Sequence, residues 1–456
     1  MTTTDLRPAT PTTGPRTTDL ADLDRRHLLH PHHTQARQDR RVFVRGRGTR
    51  VWDDQGVEHL DMMGGGNWVA QVGHARPELV AAGAGQLGEL EFFSCWREYS
   101  NEPAIRLAAR LAALTPGDLN RVFYTSGGSD GTDTAIKIAR RYHHELDDHR
   151  RTWIIGRHFG YHGCTLGSGS VTGFEDMVHG VGPALPHVAK VSAPMPYRSE
   201  QYGDLDPTDF HLAELRQTIE QIGPDKVAAM IGEPILGGAG VIAPPADYWP
   251  RVRALLDEYG VLLIADEVIT GFGRTGAWLA STEMGMDPDI VITAKGLTSG
   301  YAPLGAVVMR DRIGEVLSTT ETHFFHGQTY YGHPVACSIA MANLDVLTDQ
   351  ELLERATELG TWFRDGLAPL SQVPVVGDVR VVGAMVGVEL VEDRETKVPL
   401  DMARVLGVVD TLREQHRVLV RDYGPTIVLG PALVSEPHEV ERTCRALVAT
   451  LTEAAR

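Results

Sequence analysis

Asp266, Lys295 and a glycine- and serine-rich stretch at 125–131 all stand where apolar runs end, and their residue types could act together. The run VLLIADEV places Asp266 at the end of a segment expected to be a fully buried strand. A carboxylate there either caps the next loop or needs a cationic partner, because an uncompensated buried anion is costly. The run DIVITAKGL places Lys295 after a second such segment, about one β–α–β unit further along. Most lysines lie along the surface with the amine in water. A lysine between a buried strand and Gly296, facing the same crevice as Asp266, is different. Desolvation lowers its pKa, which is what an amine nucleophile needs. The third feature, Thr125-Ser126-Gly127-Gly128-Ser129-Asp130-Gly131, feeds the helical stretch DTAIKIARRYH. Free backbone N–H groups and a positive helix end suit a phosphate. Alone, such a loop is more often only a tight turn, and it matches neither the Walker pattern nor GxGxxG.

Together the phosphate loop, the buried aspartate and the crevice lysine fit pyridoxal phosphate. That cofactor carries a phosphate, a ring nitrogen that must stay protonated to act as an electron sink, and an aldehyde that a lysine captures as a Schiff base. An aspartate against the ring nitrogen keeps it cationic. Tyr161, in FGYHG at another strand end, is placed to stack on the ring.

The elements that must position these residues follow from periodicity. Short β-branched runs at 121–124, 152–155, 227–231, 261–265, 290–293 and 305–309 alternate with amphipathic stretches. Continuous apolar strands separated by helices imply a mostly parallel sheet covered on both faces, a doubly wound α/β domain that binds ligands beyond the carboxyl ends of its strands. Upstream, residues 42–62 read as a β-meander turning at 53–56, followed by helices over 77–89 and 103–113. Beyond about 335 the pattern changes to helices near 335–347 and 350–369, strands near 375–382 and 386–390, a helix, a strand near 417–421 and a last helix at 436–454. This predicts a smaller α+β domain. The expected division is a disordered Thr/Pro-rich tail over 1–20, an N-terminal segment of the small domain over 21–75, a large cofactor domain over 76–335 and a C-terminal small domain over 336–456.

Composition narrows the class. The chain has 456 residues and a formal net charge of −17 at pH 7, with 42% hydrophobic and 23% charged residues. That is ordinary globular composition. The charge and the lack of a basic block disfavour a nucleic-acid or anionic-membrane binder. No apolar run approaches the roughly 18–20 residues of a membrane span, and the polar N-terminus has no signal-like core. The four scattered cysteines include no CxxC pair and suit a reducing, cytoplasmic location.

The motifs are long enough to show a family likeness. HLLHPHH at 27–33, GRHFGYHGCTLG at 156–167, GEPILGGAGVI at 232–242, LLIADEVITGFGRTG at 262–276, ITAKGLTSGYAPLGAV at 292–307 and HGQTYYGHPVACSIAMANL at 326–344 resemble the class III (ω-amino acid:pyruvate type) aminotransferases of PLP fold type I. The likeness runs from about Leu23 to the C-terminus.

The resemblance implies a PLP-dependent transaminase working by a ping-pong cycle, with an amine or ω-amino acid as donor and a keto acid, pyruvate foremost, as acceptor. It assigns Lys295 as the Schiff-base lysine and proton shuttle, Asp266 to the pyridine nitrogen and Tyr161 to the ring face. Gly128 and Ser129 would contact the phosphate, Glu233 would lie on the cofactor's hydroxyl side, and Val268 is counted with the cofactor-binding residues. Thr329 would reach the phosphate of a neighbouring subunit, which implies a homodimer, or a tetramer built from it, with shared sites. Trp68 would line the substrate pocket, and Arg421 would be the mobile arginine that pairs bidentately with a substrate carboxylate and swings away for uncharged amines.

Two departures from the family pattern stand out. Asp130-Gly131 replaces the usual Glu-Ala, which should loosen the first helical turn. GPTIVLGPALV replaces the commoner Gly-Asp after the mobile arginine.

Other readings remain open at this level. A racemase, decarboxylase or aminomutase would share the cofactor motifs, and a phosphate-binding module without chemistry would keep the glycine-rich loop alone. The histidines at 27, 30, 32 and 33, and at 143, 144 and 149, lack Cys partners or an HExxH arrangement, so no metal is expected. The second group reads as a solvated helix face. Cys164 reads as small apolar packing rather than a nucleophile, and Trp68 and Arg421, taken alone, could be core and surface residues.

Overall fold

A computed structural model describes residues 17–31, 40–319 and 323–455. Helix α1 (Thr17–His27) already includes residues 17–20, so the end of the segment expected to be disordered is helical; residues 1–16 lie outside the described residues. The meander forms as β1 (Phe43–Arg47), β2 (Arg50–Asp53) and β3 (Glu58–Asp61). Helices α2 (Pro77–Glu89) and α3 (Glu102–Leu114) lie close to their predicted bounds. In α3 the Asn101 side chain accepts the Ala104 N–H at 3.0 Å, satisfying one of the free N-terminal donors.

The central sheet has seven strands: β4 (Leu119–Thr125), β5 (Trp153–Arg157), β6 (Val188–Val191), β7 (Val227–Gly232), β8 (Leu262–Asp266), β9 (Ile290–Thr293) and β10 (Gly305–Arg310). Their order is β4-β10-β9-β8-β7-β5-β6. Alternate residues of the same strands serve two cores. Leu263 and Val291 pack on one face with Trp249, Val252 and Leu256, while Leu262, Ile264 and Ile292 pack on the other with Ala135, Ile138 and Ala139. Covering both faces is why the strands read as unbroken apolar runs.

Strand β10 is the exception in the mostly parallel sheet, because it is antiparallel to both β9 and β4. The connection from Thr293 to Gly305 is too short for the crossover of a dozen or more residues that a parallel pair needs. Every other strand keeps the same direction, so β4, β5, β7, β8 and β9 end at one edge.

The C-terminal part contains β11 (Val376–Val382), β12 (Met385–Leu390), β13 (Val418–Leu419), β14 (Arg421–Tyr423) and β15 (Thr426–Leu429). Strand β13 pairs in parallel with β3, so the N-terminal meander and the C-terminal part share a sheet. Strand β15, where the sequence departs from the family pattern, forms a hairpin with β14 turning at Gly424, whose φ is +56°.

Candidate active site

The residues singled out from the sequence come together beyond the shared carboxyl edge. Asp266 is the last residue of β8, and Lys295 comes just after β9. Gly128 and Ser129 open helix α4 (Gly128–Glu145) after β4, Tyr161 lies beyond β5 and Glu233 beyond β7.

Asp266 is 4% exposed, and both its oxygens are used. Oδ2 lies 2.8 Å from Nδ1 of the buried His162, and Oδ1 accepts the Val268 N–H at 3.1 Å. Among the described residues His162 Nε2 has no hydrogen-bond partner. Sequence reasoning misses His162 although it sits inside the FGYHG motif; its signal is the strand-end position beside Tyr161.

Lys295 has φ of +37°, an unusual conformation for a non-glycine residue, at the start of a single tight turn. The turn is held from two sides. Asn343 Nδ2 donates to the carbonyls of Gly296 at 2.9 Å and Leu297 at 3.1 Å. Gln71, itself donating to the Gly271 carbonyl, packs so closely on Gly296 that any side chain there would collide with it. That contact explains the Lys-Gly pair. The Lys295 side chain is partly accessible from the crevice, yet desolvation dominates and lowers its amine from 10.5 to about 8. Asp266 and Glu233 oppose that shift, while Arg421 and Arg274 add to it.

Glu233 is buried, and each of its carboxylate oxygens accepts a backbone N–H at 2.9 Å, from Tyr161 and from Gly237. Burial raises its pKa, with Asp266 adding to the rise and the two N–H groups opposing it. Half-buried Tyr161 is likewise raised by desolvation.

At the glycine-rich loop, Asp130 Oδ2 accepts the Ser126 N–H at 2.7 Å. A Cβ on Gly131 would lie 2.9 Å from Ile292 Cγ2. The Asp130-Gly131 departure therefore does not loosen the first turn, as residue propensity suggested. The aspartate ties back to the loop, and glycine admits Ile292 of β9. A Cβ on Gly128 would meet Val268 at 3.0 Å, so the glycine-rich loop and the segment after Asp266 are in contact. Cys164, expected as apolar packing, is instead exposed and donates its N–H to Ser129 Oγ at 3.2 Å.

Trp68 is fully buried among Met63, Ile235, Ile269, Met385 and Val428, and its indole N–H donates to Tyr423 Oη at 3.3 Å. Gly430 lies against its ring, so the departing segment after Arg421 forms the wall behind Trp68. Arg421 Nη1 donates to the Gly66 carbonyl at 3.2 Å and to Asn67 Oδ1 at 3.3 Å. Thr329 is exposed, between the strongly exposed Phe325 and Tyr330.

His143 corrects the reading of its group as a solvated face: it is buried, with Nε2 3.0 Å from the Ala228 carbonyl oxygen. His144 and His149 are exposed with their rings 4.4 Å apart. His30 pairs with Asp24 at 2.8 Å, while His32 and His33 lie outside the described residues. A separate cavity of about 230 Å³, lined by Tyr197, Val241, Arg380 and Glu389 among others, includes none of the strand-end residues. Arg380 and Glu389 pair with each other there at 2.7 Å.

This donor set fits pyridoxal phosphate. An N-terminal loop of an 18-residue helix suits the phosphate, a buried carboxylate steadied by a histidine suits the ring nitrogen, and an enclosed lysine of lowered basicity suits the aldehyde.

Comparison with known proteins agrees. The aminotransferase class-III family model matches residues 33–451. A putrescine–pyruvate aminotransferase of Pseudomonas aeruginosa is 36% identical over 94% of this chain and 95% of its own. A thermostable (S)-enantioselective omega-transaminase from Thermomicrobium roseum superposes with a TM-score of 0.93 at 39% identity, covering 97% of this chain and 99% of that one. A PLP-bound amine transaminase from an uncultivated Pseudomonas species gives a TM-score of 0.90 at 36% identity, over 94% and 98% of the two chains. The chain belongs to the class III aminotransferases. It is a PLP-dependent transaminase that moves an amino group from an amine to a keto acid.

Proposed function

We propose that the edge cluster is the catalytic centre, with a diamine or ω-amino acid as donor and pyruvate as the keto acid. The observation that carries the reading is the convergence of Lys295, Asp266, Tyr161, Glu233 and the Gly128–Ser129 helix start at the ends of five co-directional strands. When bound, the cofactor supplies an electron sink for the carbon that loses its proton. Lys295 Nζ would hold the cofactor through its aldehyde and would move the substrate proton, a role suited to an amine near 8. Asp266 would keep a proton on the ring nitrogen, and His162 fixes the carboxylate's orientation. Tyr161 would cover the ring face, and Glu233 fixes the Tyr161 backbone. Val268 packs beside the phosphate loop at Gly128. Arg421 receives a substrate carboxylate, and Trp68 backs the pocket through its bond to Tyr423.

The named activity of the Pseudomonas aeruginosa relative supports pyruvate as acceptor and a diamine as donor. A panel of amines, read by the half-reaction absorbance change and by turnover with pyruvate or 2-oxoglutarate, tests this. If pyruvate gives no turnover where 2-oxoglutarate does, the acceptor assignment is wrong. Covalent trapping with borohydride and then peptide mapping tests Lys295; label on any other lysine refutes that assignment.

The shared site belongs to the same reading. Exposed Phe325 and Tyr330 flanking Thr329 suit burial against a second copy, with Thr329 reaching the partner's phosphate. Lys295→Ala and Thr329→Ala chains, each impaired alone, should recover activity when unfolded and refolded together, because one mixed site is then intact. Lack of recovery, or a monomer by sedimentation, rejects the shared site. A cytoplasmic location is supported by four unpaired cysteines, and among the described residues no helix is long and apolar enough to cross a membrane. The division into a large domain near 76–335 and a small domain from both chain ends is supported by the β3–β13 pairing.

A further inference from the structure

Arg421 stands apart from most arginines of this protein in its choice of partners. Arg380, for example, is paired with Asp378 at 2.9 Å and Glu389 at 2.7 Å. Among the described residues Arg421 donates only to neutral acceptors, the Gly66 carbonyl and the Asn67 amide oxygen, both at more than 3 Å. Among the described residues no carboxylate lies within ion-pair distance of it. The same Asn67 Oδ1 accepts the Tyr423 hydroxyl at 3.2 Å, and that hydroxyl accepts the Trp68 indole N–H. The Arg421 guanidinium also lies over the Tyr423 ring, 5.3 Å from its centroid. One amide oxygen is thus shared by the arginine and the tyrosine.

The backbone is shaped to present these acceptors. Gly65 and Gly66 have φ of +76° and +81°, and Trp68 has φ of +64°, so the chain turns sharply and leaves the Gly66 carbonyl and the Asn67 side chain facing the guanidinium. The same guanidinium is near enough to Lys295 to lower the basicity of its amine. The arginine is therefore docked at the crevice, within electrostatic reach of the reacting lysine, on partners that hold it weakly.

We propose that Asn67 is a specificity-determining dock for Arg421, held in orientation by Tyr423. A neutral acceptor keeps the guanidinium parked when the substrate has no carboxylate. It yields to a carboxylate, which offers two hydrogen bonds between opposite charges in place of two long ones to neutral oxygens. The balance between these partners sets how far the enzyme favours keto acids over aldehydes as amino acceptors. This deepens the assignment of Arg421 as the carboxylate-binding residue and rests on it.

The test uses the holoenzyme, with pyruvate and butanal as acceptors and one common amine donor. Asn67→Asp gives the parked arginine a carboxylate of the protein's own. The expected result is a KM for pyruvate raised about tenfold, equivalent to roughly 1.4 kcal/mol of added competition, with the butanal KM changed less than twofold. Tyr423→Phe removes the hydroxyl that orients Asn67 and is expected to lower the pyruvate KM by about twofold, the opposite direction. Equal shifts for both acceptors, or no shift for pyruvate with Asn67→Asp, overturns the proposal. Arg421→Ala separates the two levels. If it leaves the preference for pyruvate over butanal intact, the carboxylate role of Arg421 itself is refuted. If it abolishes that preference while Asn67→Asp does nothing, only the dock is refuted.

Discussion

His162 Nδ1 and Asp266 Oδ2 lie 2.8 Å apart, both side chains buried, and the pair joins the loop after β5 to the end of β8. The other Asp266 oxygen is occupied by the Val268 N–H, so the carboxylate cannot turn without losing a bond. Replacing His162 with Leu should cost one hydrogen bond to a charged group, about 1.5–3 kcal/mol, or roughly 10–100-fold in the rate of the amine half-reaction. His162→Asn, which can still offer an N–H near Nδ1, should recover part of the loss. Stopped-flow absorbance separates the two variants, and equal rates for Leu and wild type would remove His162 from the mechanism.

The Lys295 amine predicts a pH dependence for cofactor capture by the cofactor-free protein. Its pKa is lowered by burial from 10.5 to about 8, so the neutral, nucleophilic form grows as pH rises through 8 and levels off above it. The rate constant for pyridoxal phosphate uptake should track that curve, and a flat profile from pH 7 to 9 contradicts it.

The same shift has a stability consequence. The unfolded lysine stays protonated up to about 10.5, so between pH 8 and 10.5 the unfolded state binds more protons than the folded one. The burial penalty is complete below pH 8 and fades as pH rises. Cofactor-free Lys295→Met should therefore be more stable than wild type at pH 7, with the difference closing toward pH 10.5. Denaturant midpoints at several pH values measure this, and a pH-independent difference would deny it.

Glu233 supplies two acceptors to two backbone N–H groups. Glu233→Gln keeps the shape but sets an amide N–H against one of them, leaving a buried donor unsatisfied at a cost of about 1–3 kcal/mol. Because one of the two groups belongs to Tyr161, cofactor affinity should fall along with the melting temperature. A variant that binds cofactor as well as wild type would show that Glu233 serves only the loop.

Gly131→Ala tests the packing at the phosphate loop. The added methyl would lie 2.9 Å from Ile292 Cγ2, and overpacking of this kind costs about 1–3 kcal/mol. Thermal unfolding of the cofactor-free chain reads it directly.

Much of this site is legible in the sequence because parallel strands announce themselves as apolar runs, and the residues just past the end of a run must lie at the ligand edge. Asp266, Lys295, Tyr161 and the Gly128–Ser129 loop all carry that signature. Which strand runs against the others is not legible, since a buried run has no direction; only the short connection from Thr293 distinguishes β10. Gln71, Asn343, Asn67 and Tyr423 are invisible because their roles depend on pairings between distant parts of the chain, and no local spacing encodes those. His143 defeats a local reading because one side of a helix that looks polar in sequence meets the Ala228 carbonyl inside the fold.

The clamp on the Lys295 turn bears on how the protein matures. Gln71 comes from the N-terminal part and Asn343 from the helix that begins the C-terminal part, so the lysine is seated only when both ends have met over the central sheet. Contacts so far apart in sequence form late, since their loop-closure entropy must be met first. A nascent chain that has completed the sheet but not the helix over 334–349 has its lysine without its seat. Cofactor loading is thus expected to follow the docking of that helix on the sheet, and bound cofactor stabilises the molecules in which it has docked.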